Sequence, residues 1–204
     1  MLLLARDWYG DRGVPAVIEG SLDEAGQASL ERAVAEGFDL AFAFPSPEQQ
    51  ISGFATALAA LAPDSELHVD LGEAAIVGHP SGSYLLLIRS DASEDDDLRG
   101  LTAPALRKQL ASAQDTTLTA HEYVVLQRCF YEQHGDHRFD DYQGDPPGWM
   151  WLADTEVGDR TAMADWYAPN GRVDVTACKT GSKNPRKGAR RTRIIPLVAG
   201  RMHR

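Results

Sequence analysis

The chain has 204 residues, enough for one substantial core, and its 43% hydrophobic and 25% charged content excludes wholesale disorder. No run approaches the roughly 18 apolar residues of a membrane helix. Met1-Leu2-Leu3-Leu4 is too short for a signal sequence and has no basic segment before it, so a soluble, cytoplasmic protein with no membrane partner is expected. The net charge of −10 is unevenly spread: Cys178 to Arg204 holds nine basic and no acidic residues, leaving the other 177 residues at −19. Such an acidic body repels nucleic acid and suits a basic protein partner, while the basic stretch has the opposite preference.

In chain order, Gly13 to Glu19 reads as a strand, and Ser21 with Glu24 as a capping box. The box opens a helix that Gly37 stops. Asp39 to Phe44 is a short buried strand. Ser46 and Pro47 start a second helix with Ile51, Phe54, Ala55, Leu58 and Leu61 on one face. Leu67 to Leu71, Ala74 to Val77 and Tyr84 to Ile88 are strands separated by glycine and proline turns. Helices follow over Thr102 to Gln114 and Ala120 to His134, the second opened by the capping box Thr119 and Glu122 and closed by Gly135.

Beyond the loop from Asp136 to Gly148 the period changes to that of strands. Trp149 to Ala153, Thr161 to Ala168, Arg172 to Cys178 and Arg191 to Val198 suggest an antiparallel meander. Asn170-Gly171 predicts a two-residue type I′ turn, which would place Trp166 opposite Val175 and Asp165 opposite Thr176. Ala164, Trp166, Val173, Val175 and Ala177 then share the core face. The expected fold is α+β, an N-terminal mixed sheet with helices followed by a C-terminal antiparallel β-meander. One domain over 1–204 is expected; a subdivision, if any, falls near 145–148, separating 1–145 from 149–204.

Two constellations carry chemistry. Lys179 to Arg193 packs seven positive charges into fifteen residues, with glycines, a proline and small polar side chains between them. Forked guanidinium donors on an extended chain suit phosphate oxygens. Lys183, Arg186, Lys187, Arg190 and Arg191 are therefore the expected ligand-binding residues, and nucleic acid can engage 179–193 in the same way. A solvated loop that offsets the acidic body is the bland alternative. The second constellation is Cys129, His134, Asp136, His137, Asp140 and Asp141, at and after the end of a helix. Its spacing matches no established metal site, so no metal is expected, and a histidine there also suits the helix dipole.

Other motifs fail on spacing. Gly78-His79-Pro80-Ser81-Gly82 sets its serine one residue off a nucleophile elbow, and Lys179-Thr180 lacks the glycine-rich lead of a P-loop. No dinucleotide fingerprint is present and no cofactor is expected. Glu94 to Asp97 lacks EF-hand spacing. Cys129 and Cys178 are expected to stay reduced. The leading expectation is a binding or accessory protein whose basic loop engages an anionic, phosphate-bearing ligand, or whose acidic body docks a basic partner as an inhibitor or immunity protein would. The rival is a small cytosolic enzyme acting on an anionic substrate. There His137 and Asp140 would exchange protons, with His134 and Asp165 as further candidates, and the lysines and arginines of 179–193 would anchor the substrate.

Overall fold

The computed structural model describes residues 2–3, 18–51, 67–69, 71, 73–90, 95–135, 139, 149–167 and 172–198. The elements run β1 (Leu2–Leu3), α1 (Glu24–Ala35), β2 (Leu40–Phe44), β3 (Leu67–Val69), β4 (Ala75–Ile76), β5 (Tyr84–Ile88), a 3-10 turn (Asp96–Leu98), α2 (Ala103–Ala111) and α3 (Ala120–His134). Then come β6 (Trp149–Val157), β7 (Arg160–Tyr167), β8 (Arg172–Lys179), β9 (Lys187–Gly188) and β10 (Arg193–Pro196). The fold is α+β. Two compact units form: Met1–Ala60 with His79–Ser90 and Thr192–Arg204, and Leu61–Gly78 with Asp91–Arg191.

The first unit holds a mixed sheet in the order β1-β2-β5-β10, with β1 parallel to β2 and the other pairs antiparallel. β5, Tyr84-Leu85-Leu86-Leu87-Ile88, is buried at every position, which is why it reads as an unbroken apolar run rather than an alternating one. Ala33 of α1 packs with Phe38, Ala41, Ala43, Leu85, Leu87 and Ile195. The N-cap of α1 is Asp23, whose carboxylate accepts from the Gly26 amide at 2.8 Å. Ser21, expected to cap, instead exchanges backbone hydrogen bonds with Val198, at 3.0 and 2.9 Å. Residues 47–51 are helical, as expected, and Gln49 N donates to Ser46 Oγ at 3.4 Å. The rest of that expected helix lies outside the described residues.

The second unit is built on the meander β6-β7-β8, extended by β3 parallel to β8 and by β4 beside β6. The fourth expected meander strand is not in it, since β10 pairs with β5 in the other sheet. β9 takes a place on β6 instead, parallel, with Trp149 beside Lys187 and Met150 beside Gly188. β4 and β9 thus cover the two ends of one β6 edge, which would otherwise offer unpaired amides.

The hairpin register differs from expectation by two residues. Tyr167 pairs Arg172, Trp166 pairs Val173 and Asp165 pairs Asp174, so four residues, 168–171, separate the paired ends. A two-residue turn would have set Pro169 opposite Arg172 in the ladder, and proline has no amide to donate. A shift of two keeps every side chain on its face. Ala164, Val173 and Val175 are buried as anticipated, while Asn170-Gly171 itself lies outside the described residues.

The opposite face is also covered. Trp151, Ala153 and Met163 pack with Leu98, Leu106, Leu110 and Ala189, so α2 and the 3-10 turn close over it. A register break in β6 between Leu152 and Glu156 turns Asp154 and Thr155 toward the connection between α2 and α3. There Asp154 accepts from the hydroxyl of Thr116 and the Ala120 amide donates to Thr155 Oγ1 at 2.8 Å. α3 has the predicted capping box, with Glu122 N donating to Thr119 Oγ1 at 3.1 Å and Thr119 N to Glu122 Oε2 at 2.6 Å. It ends at Gly135, whose φ of 71° is the left-handed conformation that glycine adopts without a steric cost.

Candidate functional site

Strand alternation puts Trp149, Trp151, Met163, Asp165, Asp174, Thr176 and Cys178 on one face of the meander. The basic stretch folds onto that face. After β8 the chain turns with Ser182 N donating to Lys179 O at 2.8 Å. It turns again with Lys187 N donating to Asn184 O and Trp149 N to Arg186 O, both at 2.9 Å. Asn184 Oδ1 accepts from the Arg186 amide at 2.9 Å, the side-chain-to-backbone bond that makes asparagine a turn residue.

Between this double turn and the sheet lies a cavity of about 620 Å³, lined by Trp149, Met163, Cys178, Lys179, Gly181, Ser182, Asn184 and Lys187. That volume falls within the range of small-molecule sites. Lys187 is only 5% exposed. Its Nζ donates to Cys178 Sγ at 2.9 Å and Ser182 Oγ at 3.0 Å, and stands 4.4 Å from the Trp151 ring centroid and 5.9 Å from that of Trp149. Among the described residues no carboxylate pairs with this ammonium.

Asp165 lies across the strand pair from Asp174. Burial pushes its carboxyl pKa up to about 6; the Trp149 hydrogen bond and Arg172 oppose the shift, and the Asp174 charge adds to it. A raised folded-state pKa means that the folded chain holds the proton more tightly than the unfolded chain between pH about 4 and 6, so stability falls across that window. Asp165→Asn removes the decline. In denaturation midpoints the variant should match the wild type at pH 4 and exceed it by pH 7, whereas a constant offset would show that Asp165 does not titrate in this way.

The five expected ligand residues are not brought together. Lys183 and Arg186 are exposed. Lys187 lines the cavity, and of the five it is the one in its described lining. Arg190 is buried, with its guanidinium carbon 4.6 Å from the Phe139 ring and Nη2 donating to Phe139 O at 3.1 Å. Arg191 is gripped by three aspartates: Asp97 at 2.7 Å, Asp115 at 3.3 Å and Asp95 at 3.6 Å. The acidic run that lacks EF-hand spacing therefore supplies two carboxylates, Asp95 and Asp97, to the basic stretch.

No family model, curated protein or solved structure matches the chain.

His134 is exposed, 6.0 Å from the Phe130 ring. His137 and Asp140 lie outside the described residues. Neither Cys129 nor Cys178 is in a disulfide. Among the described residues no three histidine, cysteine or acidic side chains converge as a metal centre needs, and no helix is long and apolar enough to cross a membrane. His121, which the sequence reading passed over, is buried in α3, and that burial lowers its pKa to about 4 against the pull of Glu122. Trp149 and Trp151 are absent from the expected site. Their spacing of two, on a strand, was the signal that both indoles share the face later closed by the basic stretch.

Proposed function

We propose that the protein binds a small anionic ligand in the cavity, with Lys187 as the charge anchor and Trp149 and Met163 as the apolar wall. The observation that carries this reading is the buried charge of Lys187. Removing an ammonium from water without a counter-charge costs several kcal/mol, and buried charges are paired as a rule. Among the described residues this one meets a thiol, a hydroxyl and two indole faces. A phosphate or carboxylate in the cavity would supply the missing charge. The exposed Lys179 adds a second positive group to the lining, and Asn184, whose oxygen is committed to Arg186 N, keeps its amide hydrogens for a ligand oxygen.

The rival reading, an enzyme acting on the same class of anion, is favoured by Asp165. A carboxyl group titrating near pH 6 and bonded to the Trp149 of the cavity wall is suited to exchange protons near neutrality. Binding comes first in either case. Calorimetric titration of the full chain with inorganic phosphate and with benzoate tests it. Saturable binding of at least one is expected, weakened at least tenfold by Lys187→Met, since a charge-assisted hydrogen bond contributes about 1.5–3 kcal/mol. Replacing the exposed pair Lys183 and Arg186 with serine should change little. Equal affinity in wild type and Lys187→Met would overturn the assignment, as would no saturable binding of either anion at millimolar concentration.

A further inference from the structure

Cys178 Sγ and Lys187 Nζ stand 2.9 Å apart, close for this pair because sulfur is larger than oxygen and its hydrogen bonds run longer. Both partners are held in place. Cys178 sits in the β7–β8 ladder opposite Thr161. Lys187 is fixed by its pairing with Trp149, by the turn bond to Asn184 O, and by the Trp151 ring against its head. Lys187 as a residue is more than nine-tenths buried and its ammonium is aimed at the sulfur, with no acid competing for it among the described residues. The thiol lines an open cavity, so a small oxidant reaches it.

We propose that Cys178 and Lys187 form a covalent sulfur–oxygen–nitrogen bridge with dioxygen as oxidant. The thiol S–H bond and N–H bonds of the lysine break, and one oxygen atom becomes bonded to both Sγ and Nζ. The second oxygen atom leaves as water. Sulfur and nitrogen together give up four electrons, which reduce the dioxygen, and the remaining proton of the former ammonium passes to solvent. Thiol, ammonium and dioxygen thus become bridge, water and one proton. Two equivalents of a thiol reductant cleave the S–O bond, returning Cys178 to the thiol and leaving the oxygen on Lys187 as a hydroxylamine. In forming, the bridge discharges the ammonium that anchors the anion, so oxidation closes the binding site. That consequence rests on the proposed binding function, whereas the bridge stands on the geometry alone.

The test uses the full chain, divided into an aerated sample and an anaerobic sample kept in dithiothreitol, with both digested and analysed by peptide mass spectrometry. The aerated sample should yield the Cys178 and Lys187 peptides joined, one oxygen heavier and two hydrogens lighter than their sum. Dithiothreitol should separate them, and neither Cys178→Ser nor Lys187→Arg should give the joined species. Unlinked peptides after aeration would overturn the proposal without reliance on any variant. So would Cys178 found as sulfenic or sulfinic acid with Lys187 unmodified. Phosphate titration of the same samples separates the two claims. Binding in the reduced sample that weakens at least tenfold in the bridged one supports both. A bridge with no phosphate binding in the reduced sample supports the bridge and removes the binding reading.

Discussion

Replacing Arg191 with alanine should destabilise the protein by about 3 kcal/mol, the lower end of the range for removing one partner of a buried ion pair, because Asp115 is buried while the Arg191 and Asp97 side chains are 19% and 55% exposed. Asp115, its innermost partner, has a side chain only 2% exposed. Burial disfavours the guanidinium charge, but hydrogen bonds to Asp97 and Asp115 and the charges of Asp97 and Asp95 more than offset it, holding the Arg191 pKa above its ordinary value. The Arg191 amide also donates to Asp95 Oδ2 at 2.7 Å, so backbone and side chain are fastened to the same carboxylate. Arg191→Lys should recover only part of the loss, because one ammonium cannot direct planar donors at three aspartates. Urea midpoints at unchanged slope measure both. A loss below about 1 kcal/mol for the alanine variant would mean that the cluster is a screened surface pair.

Trp151→Ala is expected to cost a similar amount, about 3–5 kcal/mol, for a different reason. The indole is fully buried among Leu98, Leu106, Leu110, Met163 and Ala189, and truncating it leaves a void that flanking strands can close only in part. Its Nε1 donates to Leu101 O at 3.1 Å, a bond that alanine also forfeits. Trp151→Phe keeps part of the aromatic packing while losing the donor and the rest of the indole, so a smaller cost of about 1–2 kcal/mol is expected. The alanine variant should also weaken anion binding, because the ring that steadies Lys187 is gone. Full stability in Trp151→Ala would contradict the packing described for this face.

The elements legible in the sequence are those that local chemistry determines. Thr119, Glu122 and Gly135 marked both ends of α3 because capping needs only neighbours three residues apart and a glycine able to take positive φ. The two faces of the β7–β8 hairpin were legible from alternation, but its register was not. Asn170-Gly171 outweighed the proline just before it, which has no amide to give the closing pair of a two-residue turn. The sheet that receives β10 could not be read either, because its partner β5 is over a hundred residues away and nothing local to Arg193–Pro196 points to it. What the basic stretch packs against was not legible, because a charge run carries no signal of its distant neighbours: Arg190 meets Phe139, Arg191 meets aspartates from two other segments, and Lys187 enters a cavity. The site depends on β9, a two-residue strand too short to carry any period.

If Lys187 is kept for an anion and not for the fold, its charge is a burden on the empty protein. Lys187→Met keeps an unbranched, flexible side chain, one heavy atom shorter, beside the two indoles while removing the ammonium. The decisive measurement is therefore the denaturation midpoint of wild type and Lys187→Met, each with and without saturating phosphate. The variant should equal or exceed the wild type in stability without phosphate, and only the wild type should gain stability when phosphate is added. A variant at least 2 kcal/mol less stable than the wild type without phosphate, with both proteins responding alike to phosphate, would show that Lys187 is structural and that the cavity is not an anion site.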